Sequence, residues 1–387
     1  MKEIFLDHAS TTPLSKKVEN EIRKNFSLYG NPSSIHHLGE KARNKIENSR
    51  KLISKYLNCS ASEIIFTSGG TEGNNLIIKG IAKNNKEKNH ILISEIEHPS
   101  VIETCNSLKK EGYEIEMVRV DKEGIVLLED LKNKIRKDTL LVSIMHVNNE
   151  IGTIQPIKEI SKICKEKKIY FHSDMVQSLK KIKIDLRKID LDFATFSGHK
   201  IGALKGIGFV FIKKGIKIES LIHGGGQERK IRNGTENTLG IISLGKSIQT
   251  KENSNELKKI QNYLLKEVLK IPGAILNGSK ENRISNNLNF SFYGIEGESL
   301  LLMLSDKKIY VSTGSACNSS NLERSHVLKA IGVSEMYING NMRITFDKLT
   351  KKEIDYVIKS LKECVIKLGE ISPFKLNLGG KNGKKRD

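Results

Sequence analysis

Between about residues 60 and 250, short runs of apolar, β-branched residues alternate with amphipathic stretches of helical period. This alternation restricts what the chain can fold into more than any other feature of its sequence. Residues 63–67 (EIIFT), 90–94 (HILIS), 114–120, 140–145 (LLVSIM), 169–172, 192–196 and 207–212 read as strands. Helices are expected from about Glu72 and over 99–111, 128–137 and 157–167. Strands and helices taking turns imply an α/β fold with a mostly parallel seven-stranded sheet flanked by helices on both faces. After about residue 235 the texture changes. Residues 235–269 read as helix, interrupted or long. Short strands follow at 274–276 and 288–292, and helices at 298–304 and 352–368, which is the mixed order of an α+β unit. A chain of 387 residues divides naturally into two domains. The expected division is a large α/β domain over 15–255 and a smaller α+β domain built from 1–14 and 256–375. A Gly- and Lys-rich tail, 376–387, is expected to be disordered.

Composition excludes several classes. No apolar run approaches the roughly 18 residues of a membrane helix, and the first residues lack the basic and apolar regions of a secretory signal. The five cysteines (Cys59, Cys105, Cys164, Cys317 and Cys364) are odd in number, widely spaced and never Cys-x-x-Cys. This argues against a disulfide framework or a zinc site and for a reducing, cytoplasmic setting. The formal net charge is +20, but the basic residues are spread over the whole chain and aromatics are only 5%. A nucleic-acid footprint should form a patch or stripe, so direct nucleic-acid binding is not the expected reading.

The informative residues sit at strand ends, where open α/β sheets bind ligands. Ser197-Gly198-His199-Lys200 follows the strand 192–196, and a Lys so placed can form a Schiff base if burial and neighbouring cations lower its pKa. Alone it would read as one more surface Lys in a Lys-rich chain. Asp174 ends another strand, with Gln177 three residues on. A carboxylate there suits the ring nitrogen of pyridoxal 5'-phosphate, although Asp174 could equally cap a helix beginning at Met175. Thr67-Ser68-Gly69-Gly70-Thr71-Glu72 is a strand, Gly turn and helix start whose N–H groups and Thr hydroxyl suit a phosphate. It is no P-loop, since no Gly-Lys-Ser/Thr follows. His98, before Pro99, and His146-Val147-Asn148-Asn149-Glu150 occupy two further strand ends, where either histidine could be structural instead. Finally, Cys317 lies in a run of small polar residues, 312–320, and is expected to be an exposed thiol on a mobile loop. Cys164 and Cys364 fall in helices and read as packed residues.

Together these segments resemble the cysteine desulfurases of the NifS/IscS type, within the class V aminotransferase group of fold-type I pyridoxal-phosphate enzymes. The matching segments include Leu6–Pro13 (LDHASTTP), Gly30–Ser34 (GNPSS), Phe66–Gly73 (FTSGGTEG), Met145–Gln155 (MHVNNEIGTIQ), Ser197–Lys200, His223–Asn237 (HGGGQERKIRNGTEN) and Thr313–Cys317. They run in family order up to about residue 370. The resemblance implies that Lys200 carries the cofactor and shuttles protons, Asp174 pairs with the pyridine nitrogen and Gln177 bonds the ring oxygen. His98 would stack on the ring and assist proton transfer. Gly70, Thr71, Ser197 and His199 would hold the phosphate, and Thr235 would reach the phosphate of a neighbouring subunit, which implies a homodimer with shared active sites. Asn149 and Arg343 would bind the carboxylate of L-cysteine. Cys317 would take the sulfur as a persulfide and pass it to an acceptor, such as an iron–sulfur scaffold protein or a tRNA thiolation enzyme. No resident metal is implied beyond a transient iron–sulfur contact at Cys317.

The chain also departs from the family pattern. Ala203-Leu204, Met175, Asn318, Arg324, Thr345 and Asp347 replace the usual residues, and Asp347 is expected to compete for Arg343 if the two are close. Other readings are a selenocysteine lyase or another class V activity, a non-enzymatic sulfur-pathway scaffold, and a basic nucleic-acid-binding protein. A plain aminotransferase needs no thiol. Lys200, Asp174, His98 and Cys317 together argue against a decayed scaffold, and the nucleic-acid reading rests on charge alone.

Overall fold

The computed structural model describes residues 3–250, 254–314 and 324–375. Cys317 and Asn318, within 315–323, and the tail expected to be disordered, 376–387, lie outside the described residues. The chain begins with β1 (Ile4–Phe5), α1 (Lys16–Lys24), α2 (His37–Leu57), β2 (Ile64–Thr67), α3 (Gly70–Asn84), β3 (His90–Ser94), α4 (Pro99–Lys109) and β4 (Glu114–Val118). It continues through α5 (Leu128–Lys134), β5 (Thr139–Ser143), α6 (Ile157–Glu166), β6 (Tyr170–Asp174), α7 (Leu186–Ile189), β7 (Phe193–Ser197), β8 (Gly208–Ile212) and α8 (Thr238–Ile248). Then come α9 (Ser254–Val268), β9 (Ala274–Leu276), β10 (Asn287–Phe292), α10 (Gly297–Asp306), β11 (Ile309–Tyr310), α11 (His326–Ala330), α12 (Glu335–Ile338), β12 (Asn341–Thr345) and α13 (Lys351–Ile371).

The central sheet has seven strands in the order β2-β8-β7-β6-β5-β3-β4, and only β8 runs antiparallel to its neighbours. Its inner strands are buried at nearly every position, and at all of them in β3 and β5, because helices cover both faces. Side chains alternate between two cores. Phe66, Leu92, Val142 and Phe196 join Ile46 and Ile53 of α2 and Ile241 and Leu244 of α8 on one face. Ile65, Ile91, Leu141 and Val210 join Ile77 and Ile81 of α3 and Val101 of α4 on the other. The edge strand β4 keeps Glu114 exposed and Glu116 partly exposed, which blunts pairing with another chain.

A third core gathers Ile4 and Leu6 with Leu264, Phe290, Phe292, Leu304, Ile344 and Leu361 around the antiparallel sheet β12-β10-β9. The small pair β1-β11 is parallel, and isolated bridges Asp7–Thr345 and Ser312–Arg343 tie it to β12. The region expected as one long or interrupted helix, 235–269, is two helices, α8 and α9. Helices α1 and α2 were not foreseen. The alternative of a helix starting after Asp174 does not hold: residues 176–180 form turns, and the Asp174 carboxylate accepts the Val176 N–H at 2.9 Å.

Candidate active site

Six parallel strands aim their carboxyl ends at one edge of the sheet, and there a cavity of about 560 Å³ opens. Such a volume suits a small cofactor with its substrate. Gly70, Thr71, His98, Asn149, Asp174 and Gln177 line it, as do Ser197, His199, Lys200 and Arg343. These are all the expected site residues except two. Thr235 is exposed and outside the cavity lining, and Cys317 lies outside the described residues. Gly314, three positions before Cys317, lines the cavity.

The end of the cavity expected to take a phosphate is built by α3. Gly73 lets this helix lie against the sheet, because a Cβ there would sit 2.6 Å from Thr195 Cγ2 and 2.9 Å from Val210 Cγ1. The first-turn N–H groups of Gly70 and Thr71 have no intrahelical partner and carry the positive end of the helix dipole. A Cβ at Gly70 would lie 3.0 Å from Val176 Cγ2 and 3.9 Å from Ser197 Cβ, so the bare Cα keeps open the space between the helix end and Ser197. Burial, with help from Lys200 and Lys205, pushes the His199 pKa down to about 4, so its imidazole is neutral.

Asp174, the last residue of β6, is buried, and its second carboxylate oxygen accepts the Asn74 amide at 2.8 Å. The same amide nitrogen donates to Ser100 Oγ at 2.8 Å, and Ser100 Oγ lies 2.8 Å from His98 Nδ1. The Ser100 N–H also donates to that nitrogen at 3.1 Å, so Nδ1 is an acceptor and the proton of a neutral ring is on Nε2. Burial lowers the His98 pKa, against the opposing pull of Asp174. Asn74 and Ser100 thus wire the carboxylate to the imidazole. Beneath them Glu97 is fully buried. It accepts from Ser94 Oγ at 2.5 Å and from the Met145 N–H at 2.8 Å, and burial pushes its pKa up to about 8.

The N-terminal run 7–12 closes the far wall. The Lys200 amine donates to the carbonyls of Ala9 (2.6 Å) and Ser10 (2.7 Å), and Gln177 donates to Ala9 at 3.0 Å. The Arg343 guanidinium donates to Asp7 (2.9 Å), Ser10 Oγ (2.8 Å) and the Asn149 carbonyl (3.0 Å). The expected competitor for Arg343, Asp347, is not among these partners. The carboxylate that pairs with the guanidinium is Asp7, which the chain brings in from β1. His146 is buried away from the cavity, and burial drops its pKa to about 4. Met175 packs in the core instead of into the cavity, and Arg324 pairs with Glu335.

Sequence reasoning assigned no role to Asp7, Asn74, Glu97 or Ser100. The polar run after an apolar start was the available signal for Asp7. For Asn74, an amide one turn into a buried helix, four residues after Gly70, was a weaker one.

The family model for class-V aminotransferases matches residues 4–357. A cysteine desulfurase IscS of Dictyoglomus turgidum is 48% identical over 384 residues, covering 97% of both chains. One of Methanosarcina thermophila is 47% identical, covering 96% of this chain and 94% of the relative. The solved structure of a NifS-like protein superposes with a TM-score of 0.89 at 37% identity, over 95% of this chain and all of that one. That of SspA in complex with cysteine gives 0.82 at 34%, over 89% and 99%. A family match over most of the chain, together with relatives this similar, places the protein: it belongs to the class-V aminotransferase family, among its cysteine desulfurases.

Proposed function

We propose that this chain removes sulfur from L-cysteine, giving L-alanine and a persulfide on Cys317. The observation that carries this reading is a single cavity holding Lys200, Asp174, His98 and Arg343, with Gly314 on its wall three residues before Cys317. The family depends on pyridoxal 5'-phosphate, and the residues present fit it. The open end of α3 with Thr71, Ser197 and neutral His199 would take the phosphate, and Asp174 would hold the ring nitrogen protonated. When bound, that cofactor stores the electron pair released as substrate bonds break.

The chain's own residues do the rest. Lys200 would hold the cofactor and move the α-proton. Arg343, with Asn149 beside it, fixes the substrate carboxylate by paired hydrogen bonds. His98, which lines the cavity with its Nε2 proton free of the Ser100 bonds, would pass a proton to the departing product. The Cys317 thiolate bonds to the substrate sulfur as the carbon–sulfur bond breaks, so cysteine and one thiol become alanine and one persulfide. The four described cysteines support this choice by being poor nucleophiles. Burial pushes the thiols of Cys59, Cys105 and Cys164 up to about 12 and raises Cys364.

A homodimer with shared sites is part of this reading, supported by the exposure of Thr235 and of the large apolar side chains Phe26, Tyr29 and Ile35. The sulfur acceptor would be a partner protein, such as an iron–sulfur scaffold or a tRNA thiolation enzyme. Among the described residues no helix is long and apolar enough to cross a membrane, and unpaired cysteines suit a cytoplasmic enzyme. The test is an absorbance spectrum before and after L-cysteine, with alanine and sulfide quantified. A cofactor band that shifts, with equal amounts of both products under reductant, is expected. A band without products would reject desulfuration.

A further inference from the structure

We infer that Glu150 is a positioning residue that clasps both ends of the segment carrying Cys317. This rests on the desulfurase reading for its purpose, but the geometry is independent of it. Glu150 is buried, at 4% exposure. Its Oε2 accepts the Ser325 hydroxyl at 2.6 Å. The same oxygen lies against the bare Cα of Gly314, where a Cβ would come within 2.4 Å of it. Gly314 and Ser325 stand on either side of Cys317 in the sequence, so one carboxylate oxygen meets the chain both before and after it.

A ring of amides completes the clasp. The Gly314 N–H donates to Asn341 Oδ1 at 2.8 Å, Asn341 donates to Asn289 Oδ1 at 2.6 Å, and Asn289 donates to the Glu150 carbonyl at 3.2 Å. Both asparagines are buried. Ser325 also accepts the Leu328 N–H at 3.1 Å and so caps α11. Buried polar networks with their members paired are rigid. The next residue upstream, Asn149, gives its carbonyl to Arg343 and lines the cavity. The two ends of the thiol-bearing segment are therefore registered, through one peptide unit, to the group expected to hold the substrate carboxylate.

The clasp fixes the positions of Gly314 and Ser325, the described residues that flank Cys317 in sequence, and so would set the effective concentration of its thiol at the substrate sulfur. Releasing one end should slow sulfur transfer and leave cysteine binding alone. In the cofactor-loaded enzyme, Ser325→Ala should lower the single-turnover rate of persulfide formation about tenfold, the effect expected for losing a buried hydrogen bond to a charged group. Half-saturation of the cysteine-induced spectral change should stay near that of the wild type. Ser325→Thr should restore the rate, and Glu150→Gln, which keeps an acceptor, should lose less than Glu150→Ala.

A second readout needs no turnover. Without substrate, alkylation of Cys317 followed by mass spectrometry should be faster in Ser325→Ala and Gly314→Ala by about threefold or more, as local opening becomes easier. Unchanged alkylation in both variants would overturn the clasp, whatever the enzyme's reaction. So would cysteine binding that weakens in step with transfer. Changed alkylation in an enzyme that yields no alanine would uphold the clasp and reject the desulfurase reading.

Discussion

Asp7 and Arg343, 336 positions apart in the chain, meet at 2.9 Å on the wall of the cavity, and Ser10 and the Asn149 carbonyl take two further N–H groups of the same guanidinium. The planar fork is thus oriented from three sides before any substrate arrives. Arg343→Lys keeps the charge but loses the fork. It should raise KM for cysteine about 10- to 100-fold, the range for a lost charge-assisted hydrogen bond, with a smaller effect on kcat. Asp7→Asn keeps an acceptor and removes a competing negative charge, so KM should fall or hold. Steady-state alanine production measures both, and an unchanged KM in the lysine variant would remove Arg343 from substrate binding.

Acid and alkali should destabilise the protein through different residues. His172 is fully buried between Ser143 and Thr195, and burial pushes its pKa down to about 3. Below pH 6.5 the unfolded chain takes up a proton that the folded one refuses. Stability should fall by about 1.4 kcal/mol per pH unit per such histidine, down to about pH 3. Glu97 works in the opposite window. Its pKa is raised to about 8, so the folded state keeps a proton that the unfolded state loses above about 4.5, and stability is lost as pH rises from there to about 8. Urea midpoints from pH 5 to 8.5 should show a flatter acid limb for His172→Asn and a flatter alkaline limb for Glu97→Gln.

Thiol chemistry should single out one cysteine. Cys105, Cys164 and Cys364 are buried and Cys59 is half-buried, all with raised pKa values. Brief treatment of the native protein with iodoacetamide should give one fast adduct, at Cys317, which is absent from Cys317→Ser. A fast adduct at any other cysteine in that variant would reopen the choice of nucleophile.

The segment leading to Thr235 is anchored by a buried ion pair. Arg50 donates to Glu228 at 2.7 and 2.9 Å, the Phe66 N–H donates to Glu228 at 2.7 Å, and the guanidinium lies 4.5 Å from the Phe66 ring centroid. Glu228, Arg229 and Lys230 all have positive φ, a costly backbone that this pair holds in place. Removing one partner leaves a buried charge unmatched, so Arg50→Met should cost about 3–5 kcal/mol in a urea melt. A loss below 1 kcal/mol would show that the turn holds without it.

The strand ends were legible because buried parallel strands must be apolar throughout, so the first polar residues after each run mark where the sheet meets solvent or ligand. Asp174, Ser197 and Lys200 were found in this way. Helix α2 escaped because its buried face is built from Ala42, Ile46, Ser49, Arg50, Ile53 and Leu57, in which small and charged residues interrupt the apolar stripe. In the sequence Asp7 stands out only as part of a motif, because its partner is set by the pairing of β1 with β11 and their bridges to β12, and no local pattern announces contacts at that distance. Asp347 was expected to compete for Arg343 only if the two were close, and the guanidinium goes to the N-terminal run instead.

That N-terminal run also sets an order of assembly. Ala9 and Ser10 wait for Lys200, 191 and 190 residues downstream, and Asp7 waits for an arginine near the other end of the chain. A growing polypeptide that has reached β8 already owns the Gly turn before α3 and Lys200, yet its opening residues still lack their strand partner. The wall that positions the amine and orients the guanidinium closes only when synthesis is nearly finished, so a truncated product carries the reactive groups without the frame that makes them an enzyme.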